Sequence, residues 1–219
     1  MKNTTDHFWT WFLEHKNKLK GLRNLSPKEQ KHYTFWLDWH LQFYFRGLEY
    51  ILIFPKLKNK QIQLLITANG NHELFNLAID LEKTAPRLWD WKITALIQPH
   101  QDHDDMKAGL GVPYIMQDIT LKTSELKFFP LEYNGENKID IIVYLKNYTV
   151  YSHNKNLLLL INIIIQDLLG EKSMCENINL VQLAQVPNQG NDEMIYLYEL
   201  QLYIDKINIL QPHNFRKHQ

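Results

Sequence analysis

The hydrophobic period of this chain changes along its length. Over the first 47 residues apolar side chains return every three or four positions, the spacing of one helix face. From residue 48 onward, short apolar runs and alternating runs are separated by single helical stretches. A chain that switches period in this way is neither an all-helical bundle nor an all-strand sandwich. The pattern predicts an α+β fold.

Phe8, Trp11, Phe12 and Leu19 stand at helical spacing with His15 among them, and Gly21 follows as a stop. Ser26-Pro27-Lys28-Glu29 reads as a capping box with proline at the first helical position. Tyr33, Trp36, Leu37, His40, Leu41 and Tyr44 then trace one face, which Phe35, Trp39 and Phe43 widen, and Gly47 closes the helix. Residues 1–47 are expected to form an αα-hairpin rich in tryptophan. It is expected to pack on a mixed β-sheet within an α+β sandwich spanning 48–210, with 211–219 a frayed tail.

Leu48–Phe54 and Gln61–Thr67 predict a β-hairpin across the polar turn Lys56–Lys60. Asn71 is a good N-cap, with Glu73 in the first turn of a helix carrying Leu74, Phe75, Ala78, Ile79 and Leu81. That helix is expected to end at Ala85-Pro86, before strand-like content from Trp89 to Gln98. His100–Gly111 reads as a polar loop, Ile115–Leu131 as one or two strands, and Tyr133–Asn137 as a turn. Ile139, Ile141, Val143 and Leu145 alternate as in a half-buried strand. A helix capped by Ser152 or Asn154 should run to Leu169 and close at Gly170, although Ile163-Ile164-Ile165 suits a strand equally. Ile178–Val186 reads as a strand, and Met194–Ile204 fits strand or helix. The result is two ferredoxin-like strand–helix–strand units, 61–98 and 139–186, expected in one sheet with helices on one face.

Charge narrows the function classes. Lys plus Arg equals Asp plus Glu at 24 each, so the basic excess typical of nucleic-acid binders is missing. A net charge of zero also offers little repulsion against association. The lone cysteine, Cys175, excludes a disulfide framework within the chain and points to a reducing compartment. The most apolar run, Leu157–Leu169, is broken by Asn162, Gln166 and Asp167 and falls short of the ~20 residues that span a bilayer. The first residues carry no apolar signal core. A cytoplasmic protein is expected, with neither nucleic acid nor membrane as its partner.

The sharpest cluster of reactive side chains is His100-Gln101-Asp102-His103-Asp104-Asp105. Imidazole and carboxylate suit divalent transition metals, so His100, Asp102, His103 and Asp104 are the candidate metal ligands. A catalytic metal wants about three ligands held rigidly, which a glycine-containing loop supplies poorly. A solvated acidic loop is the alternative reading. The tryptophans come in pairs, Trp9/Trp11, Trp36/Trp39 and Trp89/Trp91, the last expected on one strand face. Core packing accounts for rings of this size. Exposed, the same rings anchor partners, which makes Trp9, Trp11, Trp36 and Trp39 the candidate interaction residues. Cys175 and His153 are the one conceivable thiol–imidazole pair, without a nucleophile elbow around them. Asn69-Gly70-Asn71 lacks the glycine spacing of a phosphate loop and reads as a turn plus cap. His40, inside the aromatic face, reads as a hydrogen-bonded core histidine, and no motif calls for a cofactor.

Gln63–Asn71, Leu74-Phe75, Thr84-Ala85-Pro86 and Trp89–Leu96 together resemble an uncharacterised family of bacterial cytoplasmic proteins. In that family an "ELIITA-G" strand precedes a helix and then "AAP-L--W". The Phe8–Phe12 aromatic run and Leu168-Leu169-Gly170-Glu171 are similar to it as well. The resemblance implies an α+β fold and a bacterial cytoplasmic protein. It implies no activity, cofactor or catalytic residue, so it assigns no site. The residues themselves favour a non-enzymatic interaction module of an accessory, regulatory or immunity type, whose partner is another protein or another copy. A small metal-dependent hydrolase using the His100–Asp105 loop is the alternative. A binder of a small ligand, between the aromatic hairpin and the sheet, is a third reading.

Overall fold

A computed structural model describes residues 2–55, 60–100, 103–131, 138–188 and 193–210, leaving aside the side chains of 2–4, 103 and 210. Lys56–Asn59 of the first predicted turn, Asp102, the Tyr133–Asn137 turn and the 211–219 tail lie outside the described residues. The chain divides into two compact units, Met1–Ile97 and Gln98–Gln219. No described helix is long and apolar enough to cross a membrane.

In the first unit, α1 (Lys2–Lys20) and α2 (Pro27–Tyr44) form the expected hairpin. The capping box is present: the Glu29 N–H donates to Ser26 Oγ at 3.4 Å, and the Ser26 N–H donates to Glu29 Oε2 at 3.1 Å. Strand β1 (Glu49–Ile53) runs antiparallel to β2 (Ile62–Thr67). Asn71 Oδ1 accepts the Glu73 N–H at 3.1 Å and starts a 3₁₀ turn, which leads into α3 (Phe75–Lys83). Strand β3 (Trp91–Ala95) then pairs parallel to β2, completing the order β1-β2-β3.

The register places Tyr50, Leu52, Leu64, Ile66, Trp91 and Ala95 on one face of that sheet. Helix α1 meets this face where Phe12 stands edge-on to Trp91, with ring centroids 4.9 Å apart. Helix α2 meets it where the Tyr50 hydroxyl donates to the Thr34 carbonyl at 3.1 Å. The third helix joins the same layer, since Trp9 Nε1 donates to the Leu81 carbonyl at 3.2 Å and the Tyr44 hydroxyl to the Leu77 carbonyl at 3.1 Å. The helical hairpin is thus the cover of this small sheet, continuous with it in one unit.

Trp89 and Trp91 do not share a strand face. Residues 89 and 90 form a bend before β3 begins, which turns Asp90 inward and Trp89 outward. Trp89 is 83% exposed, with Lys20 Nζ 4.9 Å above its ring, while Trp91 is buried. Lys20 Nζ also donates to the buried Asp90 at 2.9 Å. Burial pushes the Asp90 carboxyl up, but the Lys20 hydrogen bond and charge outweigh it and leave the group below its ordinary value.

The second unit opens with a short helix, α4 (His103–Lys107), where a loop was expected, and a hairpin of β4 (Tyr114–Met116) and β5 (Ile119–Leu121). Strands β6 (Lys127–Pro130) and β7 (Ile139–Leu145) pair antiparallel. After α5 (Tyr148–Tyr151), α6 (Leu157–Asn177) returns the chain to β8 (Ile178–Gln185), parallel to β7. Strand β9 (Ile195–Tyr196) closes the order β8-β7-β6-β9, and α7 (Leu200–Leu210) follows. Ile141, Val143 and Leu145 on β7 join Ile161, Ile164 and Ile165 on α6 in one buried cluster.

The fold is α+β, with its strands in three sheets of three, two and four rather than one. Each strand–helix–strand unit, β2-α3-β3 and β7-α6-β8, belongs to a different sheet. Met194–Ile204 is strand and then helix. Leu197 and Leu200 are both fully buried, and a spacing of three brings two side chains to one side only in a helical turn.

Gly170 kinks the long helix instead of closing it. Its φ of 75° and ψ of 162° lie in a region essentially reserved for glycine, and the helix resumes through Asn177. Replacing Gly170 with Ala should therefore cost about 1–3 kcal/mol. Urea unfolding of the variant checks this: an unchanged midpoint would show that the kink relaxes without strain.

Candidate functional site

Aromatic and imidazole rings concentrate on the hairpin. Helix α1 brings Trp11 and His15 one turn apart, and α2 brings His32, Tyr33, Trp36 and His40 at i, i+1, i+4 and i+8. These six rings line an open cleft of ≈ 280 Å³. Trp11 is sandwiched in its wall, stacked on His15 at 4.6 Å and on His40 at 4.7 Å between centroids. The Trp11 carbonyl can only accept, so His15 Nδ1, 2.8 Å away, carries the hydrogen. His40 Nδ1 lies 3.4 Å from Nδ1 of His7, and the two imidazoles share one hydrogen bond.

His40 is the buried centre of this group. Burial, and then the charges of His7 and His15, push its imidazole below the ordinary histidine value, favouring the neutral form. It behaves as the hydrogen-bonded core histidine expected from its place in the aromatic face.

The outer side of α2 carries a second set of rings. Leu37, His40 and Leu41 take the inner arc of the helix and are buried. Phe35, Trp39 and Phe43, four residues apart, fall on the opposite arc and remain 57%, 42% and 54% exposed. They are linked ring to ring. Phe35 meets Trp36 edge-on at 5.5 Å, Trp36 meets Trp39 edge-on at 5.5 Å, and Trp39 stacks on Phe43 at 5.4 Å. His7 extends the surface, 4.9 Å from Phe43.

The four candidate tryptophans therefore occupy different places. Trp9 is buried, with Nε1 donating to the Leu81 carbonyl and to Thr84 Oγ1, and belongs to the core. Trp11 is a half-buried wall of the cleft, Trp36 lies between cleft and outer surface, and Trp39 is exposed. Phe35 and Phe43 were expected only to widen the apolar face of α2, and they lie instead on its exposed arc. Their spacing of four on either side of Trp39, opposite Leu37 and Leu41, is the signal that marks them.

The His100–Asp105 segment lies in the second unit. His100 lines an open cavity of ≈ 420 Å³ together with Asp105, Met106, Tyr114 and Asp167. Asp104 is exposed and stands outside that lining, while Asp102 and the His103 side chain lie outside the described residues. Asp167, from α6, is the member missed in the sequence. It accepts the Tyr114 hydroxyl on Oδ2 at 2.7 Å, and its carbonyl accepts the His100 N–H at 2.8 Å. Among the described residues, no three His, Cys, Asp or Glu side chains are arranged to hold a metal ion. Cys175 lies in the last turn of α6 and His153 precedes its first turn, so most of a 21-residue helix separates them along the chain.

No known family model, curated protein or solved structure matches this chain.

The depressed imidazole of His40 has a definite sign. The unfolded chain binds this proton near pH 6.5 and the folded chain only at lower pH, so the stability contribution is complete above about 6.5 and is lost as pH falls below it. Urea midpoints at several pH values between ~5 and ~7.5 should fall with acidification, and less steeply in His40→Leu. Parallel curves for the two proteins would remove His40 as the cause.

Proposed function

We propose that the chain is a non-enzymatic protein-interaction module acting in the cytoplasm, in an accessory or regulatory role. Its contact surface is the outer face of α2. The observation that carries this is the ring-to-ring contact of Phe35, Trp36, Trp39 and Phe43 on a face the fold leaves in water. Contiguous exposed apolar surface is unusual on a monomer and marks sites of association. Tryptophan and its aromatic neighbours supply large contact area with little conformational entropy to lose.

The support is firm below as well as above. Trp36 leans on the cleft wall and His40 on Trp11, so the outer rings sit on a packed ring layer rather than on a loop. Rigid backing of this kind limits the entropy lost on docking.

A photo-crosslinking residue placed at 35, 39 or 43 in the full chain tests the reading inside its source cell. Protein adducts should form at these positions and not at Asn76, an exposed position on α3 of the same unit. Equal labelling at 39 and 76, or none at 35, 39 and 43, would defeat the proposal.

A further inference from the structure

We infer that the occupant of this surface is a second copy of the chain, with α2 docked antiparallel on α2 about a two-fold axis passing beside Trp39. The inference rests on the interaction reading above and names its partner. The spacing of the rings carries it. Phe35, Trp39 and Phe43 form a palindrome along the helix: the same residue type lies four positions before and four positions after the tryptophan. A two-fold contact requires that residue i touch j while j touches i. Centred on Trp39, an antiparallel pair sets Trp39 against Trp39, Phe35 against Phe43, and Phe43 against Phe35. Every ring then meets a ring, and all three face the same arc of the helix.

Area and charge agree. Aromatic side chains carry ~150–250 Å² each, so the exposed fractions of 57%, 42% and 54% leave about 300 Å² of ring surface per copy. Two copies contribute about 600 Å², roughly half of what the smallest stable interfaces bury. The flanking Trp36, His32, Asp38 and Gln42 on α2 are not fully buried and border the stripe. The chain has no net charge to oppose the approach of a copy. A dimer at the low end of the size range is weak and depends on concentration.

Sedimentation equilibrium on the full chain reads this directly. The mass should rise from the 26.2 kDa of one chain toward twice that value between about 10 and 500 µM, the range of a small interface. Trp39→Glu puts two carboxylates on the axis and should weaken association at least ~10-fold while leaving the circular dichroism spectrum unchanged. A second measurement is independent of that variant's folding. In a Cys175→Ser background, Phe35→Cys mixed with Phe43→Cys should give a mixed disulfide dimer, while neither alone should cross-link. Like positions sit about 12 Å apart along an antiparallel pair, beyond disulfide reach.

A mass that stays at one chain throughout overturns the inference, as does a dimer unaffected by Trp39→Glu. Phe35→Cys cross-linking to itself overturns the antiparallel geometry. Photo-adducts at position 39 that contain only a different protein, with a monomeric chain, overturn the second copy and leave the interaction module standing. Binding of Trp39 to phosphatidylcholine vesicles by a monomeric chain overturns both readings.

Discussion

An α-helix that lies on a sheet can bury roughly one third to one half of its circumference, and α2 carries more ring surface than that arc can hold. Leu37, His40 and Leu41 fill the inner arc against α1 and the sheet. Phe35, Trp36, Trp39 and Phe43 occur within nine residues, and consecutive helical positions are 100° apart. No rotation of the helix hides all of them while keeping Leu37 and Leu41 inside. The surplus is therefore geometric: α2 buries Leu37, His40 and Leu41 and leaves Phe35, Trp39 and Phe43 outside. What the first unit offers to its surroundings follows from this conflict.

The histidines occupy the boundary between the two arcs. A phenyl ring at position 40 would fill the same volume, but an imidazole adds a nitrogen that can be satisfied by His7 while its faces stack on Trp11. The site favours the neutral ring, since a buried imidazolium beside His7 and His15 would be desolvated and repelled. The cleft wall is thus built from flat rings stacked in sequence, and the stack transmits support from α1 to the exposed tryptophan of α2.

Much of this architecture is legible in local chemistry. The Ser26 capping box, the Asn71 cap and the alternation of β7 each depend on residues within a few positions of one another, and each forms as read. What escapes is decided at longer range. The bend at Trp89 depends on Asp90 finding Lys20, seventy positions away. Gly170 looks like a stop because glycine ends helices, yet Glu171 is buried just beyond it and Met174 packs partly buried against the core, and the chain kinks rather than leaves. The role of Asp167 depends on a contact with Tyr114 across fifty-three positions. The ring surface lies between these cases. Its spacing is local and readable, but whether the rings face the core depends on which arc of α2 the sheet accepts.

An exposed aromatic stripe carries a hazard as well as a use. A surface that matches some other patch on the same molecule adds copies without end, because each addition regenerates the same free patch. A palindromic stripe behaves differently. In the pair proposed above it is consumed on both partners in one contact, so association through this stripe closes at two. The symmetry of Phe35, Trp39 and Phe43 about one residue therefore does more than permit a pair. For the proposed pair, with no net charge to keep copies apart, it is the feature that limits contact through these three rings to two copies.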